Sequence, residues 1–262
     1  MRNMERIQTV ILCGGRGTRL REETIVRPKP LVPIGNMPVL WHIMKIYSYY
    51  GFRDFVLCLG YKGEMIKEFF LNFEELANNF TLNLRSHDRR VEHHDCVLED
   101  WNITFVDTGL DTPTGGRVKK AERFIQGNTF FLTYGDGLSN VNITALLAYH
   151  RKMGKISTLT AIHPTSPFGV IETEMGLARS FKEKPRLEGL INGGFFVFDR
   201  RFFDYLDEES VLEEEPLKRL TAERELAVYE HNDFWQCVDT FKDVERLNKM
   251  WDEGVRPWVL WA

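Results

Sequence analysis

Short apolar runs alternate with amphipathic stretches through the first half of the chain. This alternation is typical of βαβ units on a mainly parallel sheet, whose strands are buried on both faces. The second half has strand-like runs in close succession, with a hairpin turn at Glu174-Met175-Gly176. The patterns predict strands at 9–12, 55–59, 103–106, 130–134, 158–162, 170–172, 178–182 and 191–198.

The longer periodic stretches predict amphipathic helices. In 38–50, Val39, Ile43 and Ile46 fall on one face, and Gly51 suits the C-terminal end of such a helix. Further helices are expected at 64–73, 117–124 and 241–253. The predicted fold class is therefore α/β, with a Rossmann-like mixed, mainly parallel sheet flanked by helices, a smaller β-rich part and C-terminal helices. We expect one domain over residues 1–262 with a soft internal boundary near residue 155.

Composition and charge narrow the function classes. The 262 residues are 43% hydrophobic and carry a net charge of −4. A general nucleic-acid binder usually has a large basic excess, so a phosphorylated partner must be bound by a local basic cluster. The four cysteines form no CxxC pair and fit reduced thiols in a cytoplasmic protein. We also expect no membrane association, because the sequence has no signal peptide and no apolar run of about 18 residues.

A glycine-rich loop follows the first strand. Gly14, Gly15 and Gly17 let backbone N–H groups approach an anion, and Arg16 and Arg19 add positive charge. On the glycines alone, a plain connecting turn remains an equally good interpretation.

Two common phosphate-binding motifs do not match this loop. A Walker A sequence is missing from the chain, and the third glycine of a dinucleotide fingerprint is replaced by Leu20. The acidic residue expected about 20 positions later is also missing; the chain has Arg27-Pro28-Lys29-Pro30-Leu31 after the loop. An NAD-dependent oxidoreductase is therefore disfavoured.

Asp136 lies between two glycines directly after a predicted strand. Ligands of α/β sheets bind at the carboxyl ends of strands, and Mg²⁺ prefers carboxylate oxygens, so Asp136 is a candidate metal ligand; the same three residues also suit a turn. Asp239, taken alone, fits the N-cap of the last helix. His93-His94-Asp95 lacks the spacing of a zinc site. The acidic residues at 208–209 and 213–215 fit a solvated surface.

The glycine loop, Gly14 to Leu20, together with Lys29-Pro30-Leu31 resembles the signature of the sugar-phosphate nucleotidyltransferases. The similarity covers almost the whole chain. It implies the nucleotide-diphospho-sugar transferase fold, and transfer of a nucleoside monophosphate from a nucleoside triphosphate to a sugar 1-phosphate with release of pyrophosphate. The further segments that carry it are 23–26, 41–45, 106–109, 114–117 and 192–196.

Within that family the chain is similar to the cytidylyltransferase branch. The likeness implies CTP and glucose 1-phosphate as substrates, Mg²⁺ as cofactor, and a homo-oligomer, a hexamer by resemblance. It also implies a role in deoxysugar or surface-polysaccharide biosynthesis, such as lipopolysaccharide O-antigen. The part before residue 155 would be the nucleotide-binding half and the remainder the sugar-phosphate-binding half.

The resemblance assigns roles to particular positions. Nucleotide-binding residues are Leu12, Gly14, Gly15, Arg16, Gly17, Thr18, Arg19, Lys29, Thr114, Arg117 and Gly135. Sugar-phosphate-binding residues are Phe168, Gly169, Glu183, Lys184, Asn192 and Gly193. The metal ligands are Asp136 and Asp239, and the catalytic residues are Arg19, Lys29, Asp136 and Lys184.

Physical arguments support two of these roles. Glycines before Arg117 at a predicted helix start suit an anion site. Pro185 forces an extended backbone at Lys184, although a solvated loop lysine remains the plain alternative.

A sugar 1-phosphate is mostly dianionic at neutral pH, so the reaction needs no general base. The alternatives left open are transfer of thymidylyl or uridylyl, and a non-catalytic sugar-nucleotide sensor.

Overall fold

A seven-stranded sheet forms the centre of the protein. The structure is a computed structural model that describes residues 6–85, 90–94, 98–166 and 168–261. Its strands are β1 (Gln8–Leu12), β2 (Pro33–Ile34), β3 (Met37–Pro38), β4 (Asp54–Leu59), β5 (Phe80–Asn83), β6 (Arg90–His93), β7 (Asn102–Asp107), β8 (Thr129–Tyr134), β9 (Gly137–Ser139), β10 (Ser157–Ile162), β11 (Val170–Glu174), β12 (Leu177–Lys182), β13 (Ile191–Asp199), β14 (Leu226–His231) and β15 (Trp235–Cys237).

Helices cover both faces of this sheet. Short 3₁₀ segments, among them Lys29–Leu31, connect several elements. The α-helices are α1 (Arg21–Thr24), α2 (Val39–Tyr49), α3 (Gly63–Leu71), α4 (Phe73–Ala77), α5 (Thr114–Ala121), α6 (Ile143–Met153), α7 (Glu215–Ala222) and α8 (Phe241–Asp252).

The strand order of the central sheet is β14-β10-β13-β8-β1-β4-β7. β1 pairs in parallel with β4 and β8, and β4 with β7. β13 is antiparallel to both of its neighbours, whereas β14 is parallel to β10. The predicted fold class, a mixed and mainly parallel sheet flanked by helices, is confirmed.

The core lies in two apolar layers, one on each face of the sheet. Successive side chains of a strand point to opposite faces. Accordingly, Ile11 of β1 joins the layer under α2, whereas Val10 and Leu12 join the layer under α5. This regular alternation fixes the register of β1 and with it the position of the loop that follows.

Several predicted boundaries are wrong by a few residues. The helix expected at 117–124 begins earlier, at Thr114, because Pro113 provides an extended residue before it, and its last turn is a 3₁₀ segment (Glu122–Phe124). The helix expected at 64–73 is divided into α3 and α4 at Asn72. Asp239 is not the N-cap of α8; Thr240 caps it in a reciprocal capping box with Asp243.

The hairpin predicted around Met175 is formed by β11 and β12. Nearly all of its residues are exposed, and it forms a two-stranded sheet separate from the central one. None of the helices in the described residues combines the length with the hydrophobicity that a membrane span requires.

Candidate active site

The glycine-rich loop lies at the carboxyl end of β1, next to the carboxyl end of β8. Gly135 donates its N–H to the Leu12 carbonyl at 3.1 Å, so the two strand ends are in direct contact. Gly17 has φ of +60°, a left-handed conformation that favours glycine. A Cβ on Gly135 would lie 2.9 Å from the Leu12 oxygen, so glycine permits this close approach.

Arg117 stabilises the glycine-rich loop through hydrogen bonds to backbone carbonyls. Its guanidinium is buried and donates to the carbonyls of Gly14, Leu59, Gly109 and Leu110 at 2.7–3.2 Å, and to the Thr108 hydroxyl. Burial lowers its pKa, and nearby ionisable groups offset part of that effect. Both terminal nitrogens of the guanidinium are therefore already bonded to protein oxygens.

Two glycines before Arg117 have a packing role. A Cβ on Gly115 would lie 2.7 Å from the Ser210 carbonyl oxygen, and one on Gly116 only 2.0 Å from that of Glu208. The absence of side chains therefore lets the 208–210 backbone lie against the first turn of α5. Gly116 also donates its N–H to the Ser210 oxygen at 3.0 Å.

A short ladder brings the two candidate metal ligands together. Asp136 follows β8, and the next strand, β9, pairs antiparallel with β15, which ends two residues before Asp239. The Val238 N–H donates to the Asp136 carbonyl at 2.8 Å and closes this pairing. Ligand atoms of Asp136, Asp239 and Cys237 consequently lie within 4.8 Å of one another.

Lys29 lies between the two carboxylates. Its Nζ is 2.6 Å from Oδ2 of Asp136 and 2.6 Å from Oδ1 of Asp239, and only 11% of its side chain is exposed. Burial by itself would lower the pKa of Lys29, but the two carboxylates outweigh it and raise the pKa. The ammonium is thus positively charged at neutral pH.

The donor set at this point suits a hard divalent cation. Mg²⁺ takes one or two carboxylates and fills its other positions with phosphate oxygens and water. Burial, and then the charge of Asp136, raise the pKa of the Cys237 thiol, so this residue is protonated and a poor ligand. Asp136 and Asp239 would hold the ion, and the exposed Arg19 forms an ion pair with Asp239 beside them.

Two adjoining cavities meet at this carboxylate pair. The first, of about 380 Å³, is lined mainly by the glycine loop, Lys29 and the start of α5, and we call it the loop pocket. The second, of about 310 Å³, is lined by the Asn192–Phe195 stretch, Glu213 and Trp235, and we call it the side pocket. Arg19, Tyr134, Asp136 and Asp239 line both.

Most of the predicted nucleotide and metal residues meet in the loop pocket. They are Leu12, Gly14, Gly15, Gly17, Thr18, Arg19, Lys29, Thr114, Arg117, Gly135, Asp136 and Asp239. Arg16 instead forms an ion pair with Asp111 at 2.7 Å. Asn192 and Gly193 line the side pocket, where the Trp235 indole donates to the Gly193 carbonyl at 2.7 Å.

The other predicted sugar-phosphate residues lie at the base of the exposed hairpin. Lys184 has φ of +47°, a left-handed conformation, so the extended backbone predicted there from Pro185 is wrong. Its ammonium is 3.7 Å from Glu183. A Cβ on Gly169 would lie 2.6 Å from the Phe181 ring. Phe168 is 75% exposed. Within the described chain, none of these four residues lines either cavity.

The sequence did not identify two side chains of the side pocket, Glu213 and Trp235. Glu213 is exposed, as predicted for the solvated acidic surface, but its carboxylate also accepts hydrogen bonds from Tyr134 and Thr114. Trp235 forms part of the wall. No local pattern identifies these residues, because contacts between positions far apart in the chain bring them together.

The His93-His94 pair lies on the exposed β5–β6 hairpin, and Asp95 lies outside the described residues.

The fold and the site define an α/β protein with a glycine-rich, basic pocket beside a carboxylate pair at the carboxyl ends of parallel strands. The family model described as Nucleotidyl transferase matches residues 8–253. The chain belongs to this family, as the sequence resemblance predicted.

Curated relatives extend over nearly the whole chain. A Bacillus subtilis protein named "Probable glucose-1-phosphate cytidylyltransferase" is 48% identical over 97% of this chain and 100% of its own length. The glucose-1-phosphate cytidylyltransferase of Salmonella typhi is 45% identical, with the same coverage of both chains.

Solved structures share the fold. HddC from Yersinia pseudotuberculosis, complexed with GMP-PN, has a TM-score of 0.68 at 18% identity, covering 95% of this chain and 100% of its own. A UDP-glucose pyrophosphorylase complexed with UDP-glucose has a TM-score of 0.67 at 14% identity, covering 95% and 99%. At these identities the likeness describes the fold alone.

Proposed function

We propose that this protein catalyses the Mg²⁺-dependent transfer of CMP from CTP to α-D-glucose 1-phosphate, giving CDP-glucose and pyrophosphate. The observation that carries the proposal is the pair Asp136 and Asp239, joined by Lys29, at the mouth of the loop pocket. The family and the names of the two bacterial relatives support the choice of glucose and cytidine. By resemblance, the enzyme would act in the cytoplasm as a homo-oligomer.

The loop pocket suits the triphosphate. Gly14 and Gly15 line the cavity, no heavy atom lies within 4 Å of a Cβ added at Gly15, and Lys29 and Arg19 supply positive charge. Thr18 and Thr114 add hydroxyl groups to the same wall. Arg117 acts through the loop, since its donors fix the Gly14 carbonyl and thereby the backbone that would contact phosphate.

The side pocket suits the sugar. It opens from the carboxylate pair and is lined by an amide, a carboxylate, an aromatic ring and a glycine, a combination typical of sites for hydroxyl-bearing ligands. Lys184, exposed at the hairpin base, would contact the phosphate of the sugar 1-phosphate. This role follows from the resemblance and requires the hairpin to approach the substrate.

The chemistry needs alignment and charge neutralisation. An oxygen of the sugar phosphate dianion attacks the α-phosphorus; a new P–O bond forms, the bond to the β-phosphate oxygen breaks, and pyrophosphate leaves with that electron pair. No proton has to be removed from the nucleophile. A magnesium ion bound by Asp136 and Asp239 would supply charge neutralisation between the reacting phosphates.

The test is a panel of nucleoside triphosphates with glucose 1-phosphate and Mg²⁺, read as pyrophosphate release and as the mass of the product. We expect turnover with CTP and formation of CDP-glucose. Turnover with dTTP or UTP in place of CTP would contradict the base assignment. If no triphosphate gives pyrophosphate release, the result would contradict catalysis and favour a sugar-nucleotide sensor.

A further inference from the structure

Glu213 connects the loop pocket and the side pocket. It lies two residues before α7, and its carboxylate accepts a hydrogen bond from the Tyr134 hydroxyl and one from Thr114 Oγ1 at 2.7 Å. Tyr134 in turn accepts from Asn192 Nδ2 at 3.3 Å. The chain of contacts therefore runs from the nucleotide side of the site to the predicted sugar side.

The backbone around Glu213 is fixed. Leu212 is fully buried, and its N–H donates to Thr114 Oγ1 at 2.9 Å. Two residues earlier, the Ser210 carbonyl accepts from Gly116 at the start of α5. The side chain of Glu213 is exposed, but these backbone contacts and its two hydrogen bonds restrict it, so it can orient a ligand with a smaller loss of conformational entropy.

The carboxylate has acceptor capacity left over. An ionised carboxylate offers about four lone-pair positions, and two hydrogen bonds leave the others for a ligand in the side pocket. In the described part of the chain, no lysine or arginine forms an ion pair with Glu213. Its negative charge would repel phosphate, so the hydroxyl groups of a ligand fit beside it better than the phosphate does.

The neighbouring groups are consistent with such a ligand. Burial, and then the charge of Glu213, raise the pKa of Tyr134, so its phenol stays protonated and continues to donate to the carboxylate. The Trp235 ring supplies an apolar surface in the same pocket, next to Gly193. A neutral sugar fits such a pocket, because its hydroxyl groups can donate to the carboxylate while its apolar face packs on the aromatic ring.

We infer that Glu213 is a sugar-recognition residue, whose carboxylate accepts hydrogen bonds from hexose hydroxyls in the side pocket and excludes sugars that carry a negative charge there. The inference rests on the proposed transfer to a hexose 1-phosphate. Hydrogen bonds from hydroxyls to an ionised carboxylate are stronger than those between neutral groups, so they give both affinity and selection.

The test compares the wild type with Glu213→Gln in steady-state kinetics. Glutamine retains the size of the side chain but replaces one acceptor oxygen with a donor amide. We expect the KM for glucose 1-phosphate to rise roughly tenfold while the KM for CTP stays unchanged. Glu214→Gln is the matched control, because that neighbouring side chain is exposed and forms no capping hydrogen bond.

A series of substrate analogues separates recognition from a structural role. For the wild type, one of the 2-, 3-, 4- and 6-deoxy glucose 1-phosphates should lose far more kcat/KM than the others. In Glu213→Gln that penalty should shrink, and the bias against glucuronic acid 1-phosphate should fall. An equal penalty for every analogue in both proteins would overturn the inference, as would an effect confined to the KM for CTP. A wild type without turnover would instead contradict the proposed function itself and this inference with it.

Discussion

The loop pocket and the β11–β12 hairpin carry the two halves of the predicted site, and they are constructed differently. The loop pocket is formed by the ends of two adjacent core strands, with the buried Arg117 beneath it and Lys29 only 11% exposed. The hairpin stands apart from the central sheet, and Lys184 at its base is 54% exposed. The predicted charges of the nucleotide and metal site thus lie at the ends of core strands, whereas the predicted contact to the sugar phosphate lies on an exposed hairpin.

The largest expected effect is the loss of activity when one core carboxylate is neutralised. Asp136→Asn should reduce kcat at least about 1000-fold, because it removes a negative charge needed to hold the cation between the phosphates. Asp100→Asn is the control, since that aspartate is 89% exposed and paired with Arg53 at the surface. Circular dichroism should show that both variants are folded. Full activity of the Asp136 variant would refute the metal assignment.

A buried histidine in the core predicts that the stability of the protein depends on pH. His42 in α2 is fully buried, and burial lowers its pKa from 6.5 to about 4. As the pH falls, the imidazole therefore gains its proton in the unfolded chain before it does so in the folded chain. The His42 contribution to the free energy of unfolding is complete above about pH 6.5 and is lost as the pH falls toward 4. The loss amounts to at most about 3 kcal/mol. Urea unfolding of the wild type at several pH values measures this loss.

The control for that prediction is His42→Gln, which has no imidazole to titrate. Its free energy of unfolding should fall less steeply between about pH 6.5 and pH 4 than that of the wild type. Equal slopes in the two proteins would contradict the assignment. If the variant does not fold, NMR titration of the wild-type imidazole gives the same answer, and a pKa near 6.5 would contradict it.

A pair of glycine substitutions tests the packing beneath the loop pocket. Gly116→Ala should lower the free energy of unfolding by about 1–3 kcal/mol, because its Cβ would meet the Glu208 backbone oxygen at 2.0 Å. Gly15→Ala should leave stability unchanged, since no heavy atom lies within 4 Å of its added Cβ, but should slow turnover by filling the pocket. Equal stability of the two variants would contradict the packing role.

The smallest effect is expected on the hairpin. Lys184→Ala should raise the KM for glucose 1-phosphate roughly tenfold and leave the melting temperature unchanged, because the side chain is exposed and contributes little to packing. Lys182→Ala is the matched control, with 65% of its side chain exposed on the same hairpin. An unchanged KM in the Lys184 variant would mean that the hairpin does not reach the substrate.

The sequence predicted the fold, and most of the residues that it assigned to the nucleotide line one pocket, because strands and glycine-rich loops have local signals. Strand periodicity placed β1 and β8, each followed by its candidate loop. The structure adds that the two strands are parallel neighbours, which brings Gly14 and Asp136 to the same edge of the sheet. The family resemblance supplied Asp239. What local pattern could not supply was the β9–β15 ladder that places this residue 2.6 Å from Lys29.

The contacts that sequence reasoning missed are all long-range. Nothing near Glu213 distinguishes it from the acidic residues around it, and its role appears only when α5 and β8 bring Thr114 and Tyr134 to its carboxylate. The Thr-Gly-Gly segment before Arg117 suggested an anion site, whereas in the structure its glycines accommodate the backbone at 208–210.

The most direct measurement is a crystal structure of the protein grown with CTP and Mg²⁺. The account predicts the triphosphate in the loop pocket along Gly14 and Gly15, with metal density bonded to carboxylate oxygens of Asp136 and Asp239. A triphosphate bound elsewhere, or a metal on the nucleotide without contact to either aspartate, would contradict the account.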